Sequence, residues 1–430
     1  MTTETKLTPY WWEAAPRCET EVAAVAETSD VVVVGAGFAG LSAALTLARG
    51  GRSVQVFDKE RPGEGASSRN GGIASGNIKV GFAGMVAQEG EARARAVYGE
   101  GVRAREDLIR FIAEENIDCG WELSGRFTGA YAPADYDKLA REVEFLNRHL
   151  DIGTFMVSKA EQHTEIGTDH YHGGAVRPDI GGLHPGLLHD GILARAVEAG
   201  AVVHGRTAVN GVRREGDGFE IETTRGRVRA RDVVVCTNGY TREEFSWLQR
   251  RVIPIPSQII ATEELPAETM ARLMPKRRML GETRGLYHYY RPSPDGTRIV
   301  FGGREGAETD DVGAKTRHLR ESLVEVFPEL RDVGLSHTWW GYTGYTFDFV
   351  PKLRIEDGIH YATGFCGSGV VWARWMGTKA GQTILGDPEA ETVFAERPFQ
   401  TRPLYFGKPW FLPAVIAWYR FSDWKKRTKG

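Results

Sequence analysis

Residues 31–34 are four valines with no polar alternation, the pattern of a parallel strand covered on both faces. The run breaks at Gly35-Ala-Gly-Phe-Ala-Gly40 and resumes as an almost wholly apolar stretch to Ala48. A second β-branched segment, residues 54–57, ends in Asp58 and Lys59. The predicted order is strand, glycine turn, helix, strand, acid. Gly35 allows the tight turn, Gly37 lets backbone approach a pyrophosphate, and Gly40 lets the helix pack on the strand. The helix opening at Phe38 and Ala39 points its unpaired N–H groups and positive dipole end at the phosphates. Asp58 stands where a carboxylate accepts hydrogen bonds from ribose hydroxyls. A signal peptide or membrane span does not fit. Three glycines sit near the start of the apolar run, Asp30 and Arg49 flank it, and it begins too late for a leader.

Further along, apolar positions recur at three and four in residues 90–117 and 134–150, which predicts helices. Residues 151–184 are rich in Gly and His and read as irregular. A helix over 186–199 leads to a strand over 201–204. Residues 219–223 and 228–230 read as an antiparallel pair, with Gly226 in the turn. A second buried strand, 231–235, ends in Cys236-Thr237-Asn238-Gly239, where Cys236 is a small packing residue. Residues 251–345 read as strands and turns. In the aromatic strand 287–292, alternation puts Tyr287 and Tyr289 on one face and His288 and Tyr290 on the other. That strand reads equally as a wall over a ligand or as sheet core. The turn 294–297 returns the chain along 298–304. The last strand, 359–363, runs into a glycine turn at 364–370 and a helix over 371–385 that Gly386 ends. Residues 1–27 predict an arm packed by Tyr10-Trp11-Trp12. The tail from Phe406 holds an apolar run, 412–419, too short to span a bilayer, and a basic end. Packing on the body is expected there rather than membrane contact.

Composition narrows the class. The 430 residues are 41% hydrophobic and 26% charged, enough for two or more soluble domains. A net charge of −3 and the lack of a basic tract exclude a nucleic-acid partner. Cys18, Cys119, Cys236 and Cys366 are far apart, with no C-x-x-C, so no disulfide framework or metal site is expected and a reducing cytoplasm is. No Ser/His/Asp triad is recognisable, as expected where a cofactor carries the chemistry. His184, His288 and His337 read as structural. Gly65-Ala66-Ser67-Ser68-Arg69-Asn70-Gly71-Gly72 sets many N–H groups on one short path that can wrap a phosphate and pass a flat ring.

Gly35, Gly37, Gly40, Asp58 and the 65–72 run resemble the opening of the FAD-dependent D-amino acid oxidase and sarcosine oxidase superfamily. The G-A-S-x-R-N-G-G form resembles its γ-glutamylputrescine oxidase branch. Residues 236–239 are similar to the family's A-T-N-G, residues 339–351 to its W-G-x-x-x-x-T-x-D-x-x-P, and residues 364–370 to its G-F-S-G-H-G-V. The resemblance implies an α/β fold: a discontinuous Rossmann-like FAD-binding domain (28–110, 185–248 and 346–398) and a substrate domain on a mostly antiparallel sheet (111–184 and 249–345). Residues 1–27 form the arm and 399–430 a tail packed on the body. It implies FAD, noncovalent or covalent, with Val209 over the adenine, Thr237, Asn238 and Gly239 at the far side of the crevice, and Gly364, Gly367, Ser368, Gly369 and Val370 at the flavin. It further implies oxidation of a C–N bond of an amine or N-substituted amino acid, imine hydrolysis, and reoxidation by oxygen to hydrogen peroxide. Tyr287, Tyr289 and Ser368 are the candidates for the flavin-facing or substrate-lining positions.

The departures matter as much. Many amino-acid-oxidising relatives clamp the substrate carboxylate with an arginine before the last strand, and residues 341–348 hold none. Ser368 replaces a histidine. No histidine lies in 63–72 and no cysteine near Trp340-Gly341, so a covalent flavin is not expected. The strand 298–303 lacks the lysine of oxygen-reactive relatives. An oxidase is preferred, with a dehydrogenase feeding a quinone or partner protein, or a non-catalytic flavin-binding subunit, as alternatives. A flavin monooxygenase or NAD-dependent dehydrogenase is a further rival, without a second nicotinamide fingerprint to support it.

Overall fold

The computed structural model describes residues 4–19, 23–304, 311–395 and 397–429. Residues 1–3 and 20–22 of the expected arm, 305–310 of the expected substrate domain, 396 of the expected FAD domain and 430 of the tail lie outside the described residues.

The valine run forms the strand Thr28–Val34, flanked in parallel by Val54–Phe57 and Gly226–Val235. Val202–His204 and Ile359–Thr363 extend the parallel set on either side. Lys352–Glu356 pairs antiparallel at one edge of this eight-stranded sheet, which also takes in Val209–Glu215 and Gly218–Thr223. The absence of alternation in the sequence follows from burial on both faces. Val31 and Val33 pack with the helices Phe38–Arg49 and Gly369–Leu385. Val32 and Val34 pack with Phe219 and Ile221 of the antiparallel meander.

Residues 226–235 are one strand rather than a hairpin arm followed by a separate strand. Arg227, Arg229 and Arg231 face solvent, while Val228 and Ala230 pack inward. The charged alternation hides its continuity with the apolar half.

The second sheet also has eight strands, ordered Leu335–Tyr345, Ile253–Thr262, Ile299–Gly303, Tyr289–Pro292, Met279–Glu282, Arg126–Gly129, Gly174–Arg177 and Phe155–Val157. Neighbours are antiparallel except Met279–Glu282 with Arg126–Gly129. Residues 151–184, expected to be irregular, supply the last two of these strands and Gly181–Gly182. Glycine conceals them: a side chain at Gly174 would press into the Phe127 ring and the Thr128 carbonyl, so this strand gives up β-branched residues for close approach.

The arm packs through Trp11, which is fully buried. Its indole N–H donates to the Asn70 carbonyl at 2.8 Å, and that of Trp12 donates to Ser68 Oγ at 2.8 Å. The tail differs from expectation. Its helix Leu412–Lys429 seats Leu412 and Ile416, and Asp423 accepts from the Gly285 and Leu286 N–H groups. Trp418, Phe421 and Trp424 are exposed, so only part of the apolar run packs on the body. No described helix is long and apolar enough to cross a membrane.

Candidate active site

Two helix N-termini and the aromatic sheet converge on a cavity of about 670 Å³. At its first end Gly35 takes a positive φ of 102° and turns the chain from strand to helix. A side chain at Gly37 would meet Ser67 Oγ at 2.8 Å, so the helix mouth and the 65–72 loop close on each other only because Gly37 is bare. Ser67 Oγ accepts from the Phe38 N–H at 2.9 Å and ties the loop to that mouth. Asp58 accepts from the Ala36 N–H at 2.7 Å and the Glu60 N–H at 2.9 Å. Burial raises its carboxyl to about 6, against those two hydrogen bonds. Lys59 lies beside Arg242, and burial followed by that like charge lowers its ammonium.

Along the middle of the cavity, Arg69 donates to the Glu64 and Trp340 carbonyls at 2.6 and 3.2 Å and lies 4.6 Å from the Trp12 ring centre. The Tyr342 N–H donates to the Tyr240 hydroxyl at 3.1 Å. Asn238, with a φ of 45°, accepts from the Gly364 N–H at 3.0 Å and so joins the two crevice turns. Gly364, Cys366 and Gly367 all adopt positive φ and lift the chain into the helix Gly369–Leu385. Burial pushes the Cys366 thiol up to about 11 and Cys236 up to about 12, so both stay protonated.

At the other end, alternation holds: Tyr287 and Tyr289 line the cavity, while His288 and Tyr290 are buried behind them. Tyr289 shares a hydrogen bond of 2.8 Å with Ser257, and Arg304 donates to the Tyr287 hydroxyl. Burial alone would raise the Tyr287 phenol. Arg304, Lys79 and Arg126 outweigh it and bring the phenol down to about 7.

Of the residues singled out from sequence, Gly35, Gly37, Phe38, Ala39, Asp58, Lys59, Gly65, Ala66, Ser67, Arg69, Asn70, Gly71, Val209, Thr237, Asn238, Gly367, Ser368, Gly369 and Val370 line this cavity with the two tyrosines. Gly40, Ser68, Gly72, Gly239 and Gly364 lie behind the lining. Gly40 packs on the Gly35 carbonyl, and Ser68 donates to the Gly63 carbonyl at 2.7 Å. Gly72, Gly239 and Gly364 make close approaches to the Leu183 carbonyl, to Gly344 and to Thr346 respectively. Arg126, Tyr240, Arg242, Arg304, Trp340 and Tyr342 also line the cavity and were not read from the sequence as site residues. For Arg304 a signal existed, since it ends the strand returning beneath the tyrosines. The three histidines lie elsewhere: His184 caps the helix Pro185–Glu198, His288 pairs with Glu282 at 2.8 Å, and His337 faces Glu13.

Residues 30–382 match the family model described as FAD dependent oxidoreductase. The chain belongs to that family. It is 29% identical to the probable oxidoreductase OrdL of Rhizobium meliloti over 432 residues, which take in 98% of this chain and 100% of that protein. It is 28% identical to the γ-glutamylputrescine oxidoreductase of Escherichia coli over 378 residues, covering 87% and 88% of the two chains. Among solved structures, glycine oxidase from Geobacillus kaustophilus superposes with a TM-score of 0.73 at 21% identity, covering 88% of this chain and 99% of that one. L-proline dehydrogenase from P. horikoshii gives 0.68 at 20% identity, covering 91% and 99%. An oxidase and a dehydrogenase thus share this fold. The chain is an FAD-dependent oxidoreductase of the amine and amino-acid oxidase type.

The cavity suits FAD on its own terms. It holds a bare glycine cradle and the Asp58 carboxylate at one end, two helix mouths facing inward, and a flat aromatic wall at the other. Among the described residues no group of His, Cys, Asp and Glu could hold a metal ion.

Proposed function

We propose that this protein oxidises the C–N bond of an amine or N-substituted amino acid, in the manner of a γ-glutamylputrescine oxidase. The imine formed is hydrolysed to a carbonyl product. Noncovalently held FAD would supply the redox chemistry, a two-electron oxidation of the carbon beside nitrogen with oxygen as the final acceptor and hydrogen peroxide as its product. The observation that carries the reading is the continuity of one cavity from the Asp58 turn to Tyr287 and Tyr289.

The chain's residues divide the work. Gly37, the 65–72 loop and the first-helix N–H groups would hold the pyrophosphate, and Asp58 the ribose. The N–H groups opening Gly369–Leu385 would stabilise negative charge that develops on the flavin. A protonated amine cannot give up hydride, because the developing iminium needs the nitrogen lone pair. Tyr287, acidified by three cations, takes that proton. Tyr289, held by Ser257, shapes the wall that excludes water. We assign residues 28–110, 185–248 and 346–398 to the cofactor domain and 111–184 and 249–345 to the substrate domain. The four unpaired cysteines suit a reducing cytoplasm.

A second reading keeps this site and changes the acceptor to a quinone or partner protein. The strand Ile299–Gly303 carries no lysine, which favours it over an oxygen-reactive site. The test is the visible spectrum of the purified protein, followed by anaerobic addition of a panel of amines. Bleaching of the flavin band by one of them is the expected result, and fast colour return in air marks an oxidase. A protein that neither carries nor takes up flavin refutes the reading.

A further inference from the structure

Arg126 and Arg304 line the substrate end of the cavity from two different strand regions. Arg126 lies on the strand Arg126–Gly129, and Arg304 follows directly on Ile299–Gly303. Both side chains are half-buried, and the Nε of each is buried without a hydrogen-bond partner. Among the described residues neither has a carboxylate partner, whereas Arg177, Arg278 and Arg284 in the same sheet region all do. Among the described residues, the side-chain hydrogen bond of Arg304 runs to the Tyr287 hydroxyl. A third cation, the exposed Lys79 ammonium, lies 4.2 Å from the centre of the Tyr287 ring.

Taking charge out of water without a counter-charge is costly, so such a group persists where function requires it. A guanidinium offers two parallel N–H donors matched to one carboxylate, and two of them match two. An ionised Tyr287 offsets one of the three positive charges and leaves the forks of both arginines mostly unused.

We propose that this end of the cavity is a double anion site, with Arg126 and Arg304 receiving the two carboxylates of a dicarboxylic amine substrate and Lys79 adding to its field. The proposal rests on the amine-oxidising reading and narrows it. It answers the missing arginine in residues 341–348: the charge comes from other strands, and there is enough for two carboxylates. A diamine without a carboxylate would place its ammonium against these cations and is selected against.

The test titrates the flavin-loaded protein with glutarate, which has no nitrogen to oxidise, and with butyrate, following heat by calorimetry and the shift of the flavin band. Glutarate should bind on the order of tenfold or more tightly than butyrate. Arg126→Gln and Arg304→Gln should each bring glutarate down to the butyrate level. If a glutamine variant fails to fold, Arg126→Lys and Arg304→Lys keep the charge and lose the fork, and should still weaken glutarate severalfold. Equal binding of the two acids, or no binding of either, overturns the proposal. Glutarate binding without any amine bleaching the flavin upholds the anion site and sinks the amine-oxidising reading. Neutral amines bleaching as fast as dicarboxylic ones upholds that reading and sinks the anion site.

Discussion

Substituting Gly377 by alanine tests whether the seam between the two site-bearing helices sets cofactor affinity. Gly377 lies in the helix Gly369–Leu385 against Ala39, in the first turn of Phe38–Arg49. A Cβ there would sit 2.8 Å from the Ala39 carbonyl carbon and 2.9 Å from its Cα, with the carbonyl oxygen closer still. Restoring ordinary contact at 3.4 Å from that oxygen requires the helices to part by more than about 1 Å. A gap of that size forfeits about half of each dispersion well along the seam. Overpacking usually costs about 1–3 kcal/mol. The obstructing atoms are backbone, and the Cβ space at Gly40 is already filled by the Gly35 carbonyl, so the upper end, about 3 kcal/mol, is expected. The same shift carries the Ala39 N–H away from the cavity it lines and should weaken FAD at least about tenfold, or about 1.4 kcal/mol. Gly386→Ala is the control. Gly386 has a φ of 72° and open space for a Cβ, so alanine costs about 1 kcal/mol of strain without moving a helix. The assay pairs urea midpoints with FAD titration by fluorescence quenching. G377A matching G386A in midpoint and wild type in FAD affinity would refute the reasoning.

Three further outcomes follow from the site. Burial holds the Asp58 carboxyl at about 6, above the ordinary carboxylate value, and ribose hydroxyls need it ionised. FAD affinity should therefore be full above that pH and fall as pH drops through about 6; Asp58→Asn should lower it and flatten the dependence, and a parallel pH curve in D58N would exclude the role. The Tyr287 phenol, at about 7, accepts the amine proton only when ionised, so flavin reduction should quicken as pH rises through about 7. Tyr287→Phe should slow anaerobic bleaching about 100-fold or more and remove that limb; an unchanged profile in stopped flow would exclude it as the base. Trp11→Ala removes a fully buried indole and its bond to the Asn70 carbonyl, for about 3–5 kcal/mol. It should also loosen the 65–72 loop, seen as faster FAD loss on dialysis, and unchanged retention would confine the arm to stability.

The dinucleotide half was legible because each of its residues answers a local demand. A valine run buried on both faces, a glycine at positive φ and an acid at the next strand end can be read within thirty-odd residues. The tyrosine alternation was legible for the same reason, since a two-residue period needs no partner to be seen. What stayed hidden depends on pairing across long separations. Gly174 and Gly181 read as loop because the reason for a bare Cα lies in Phe127, Thr128 and Trp121, which only the folded sheet brings near. Arg126 carries no signal of its own in the sequence, and its place comes from Met279–Glu282 and Gly174–Arg177 flanking its strand. The absence of an arginine from residues 341–348 was legible, and it favoured substrates without a clamped carboxylate. That inference treats a charge as belonging to a motif. In a sheet the charge belongs to a place, and Arg126, Arg304 and Lys79 reach one tyrosine from three separate stretches of chain. A missing residue in a conserved-looking segment therefore argues against a ligand only after the strands on either side have been searched for its replacement.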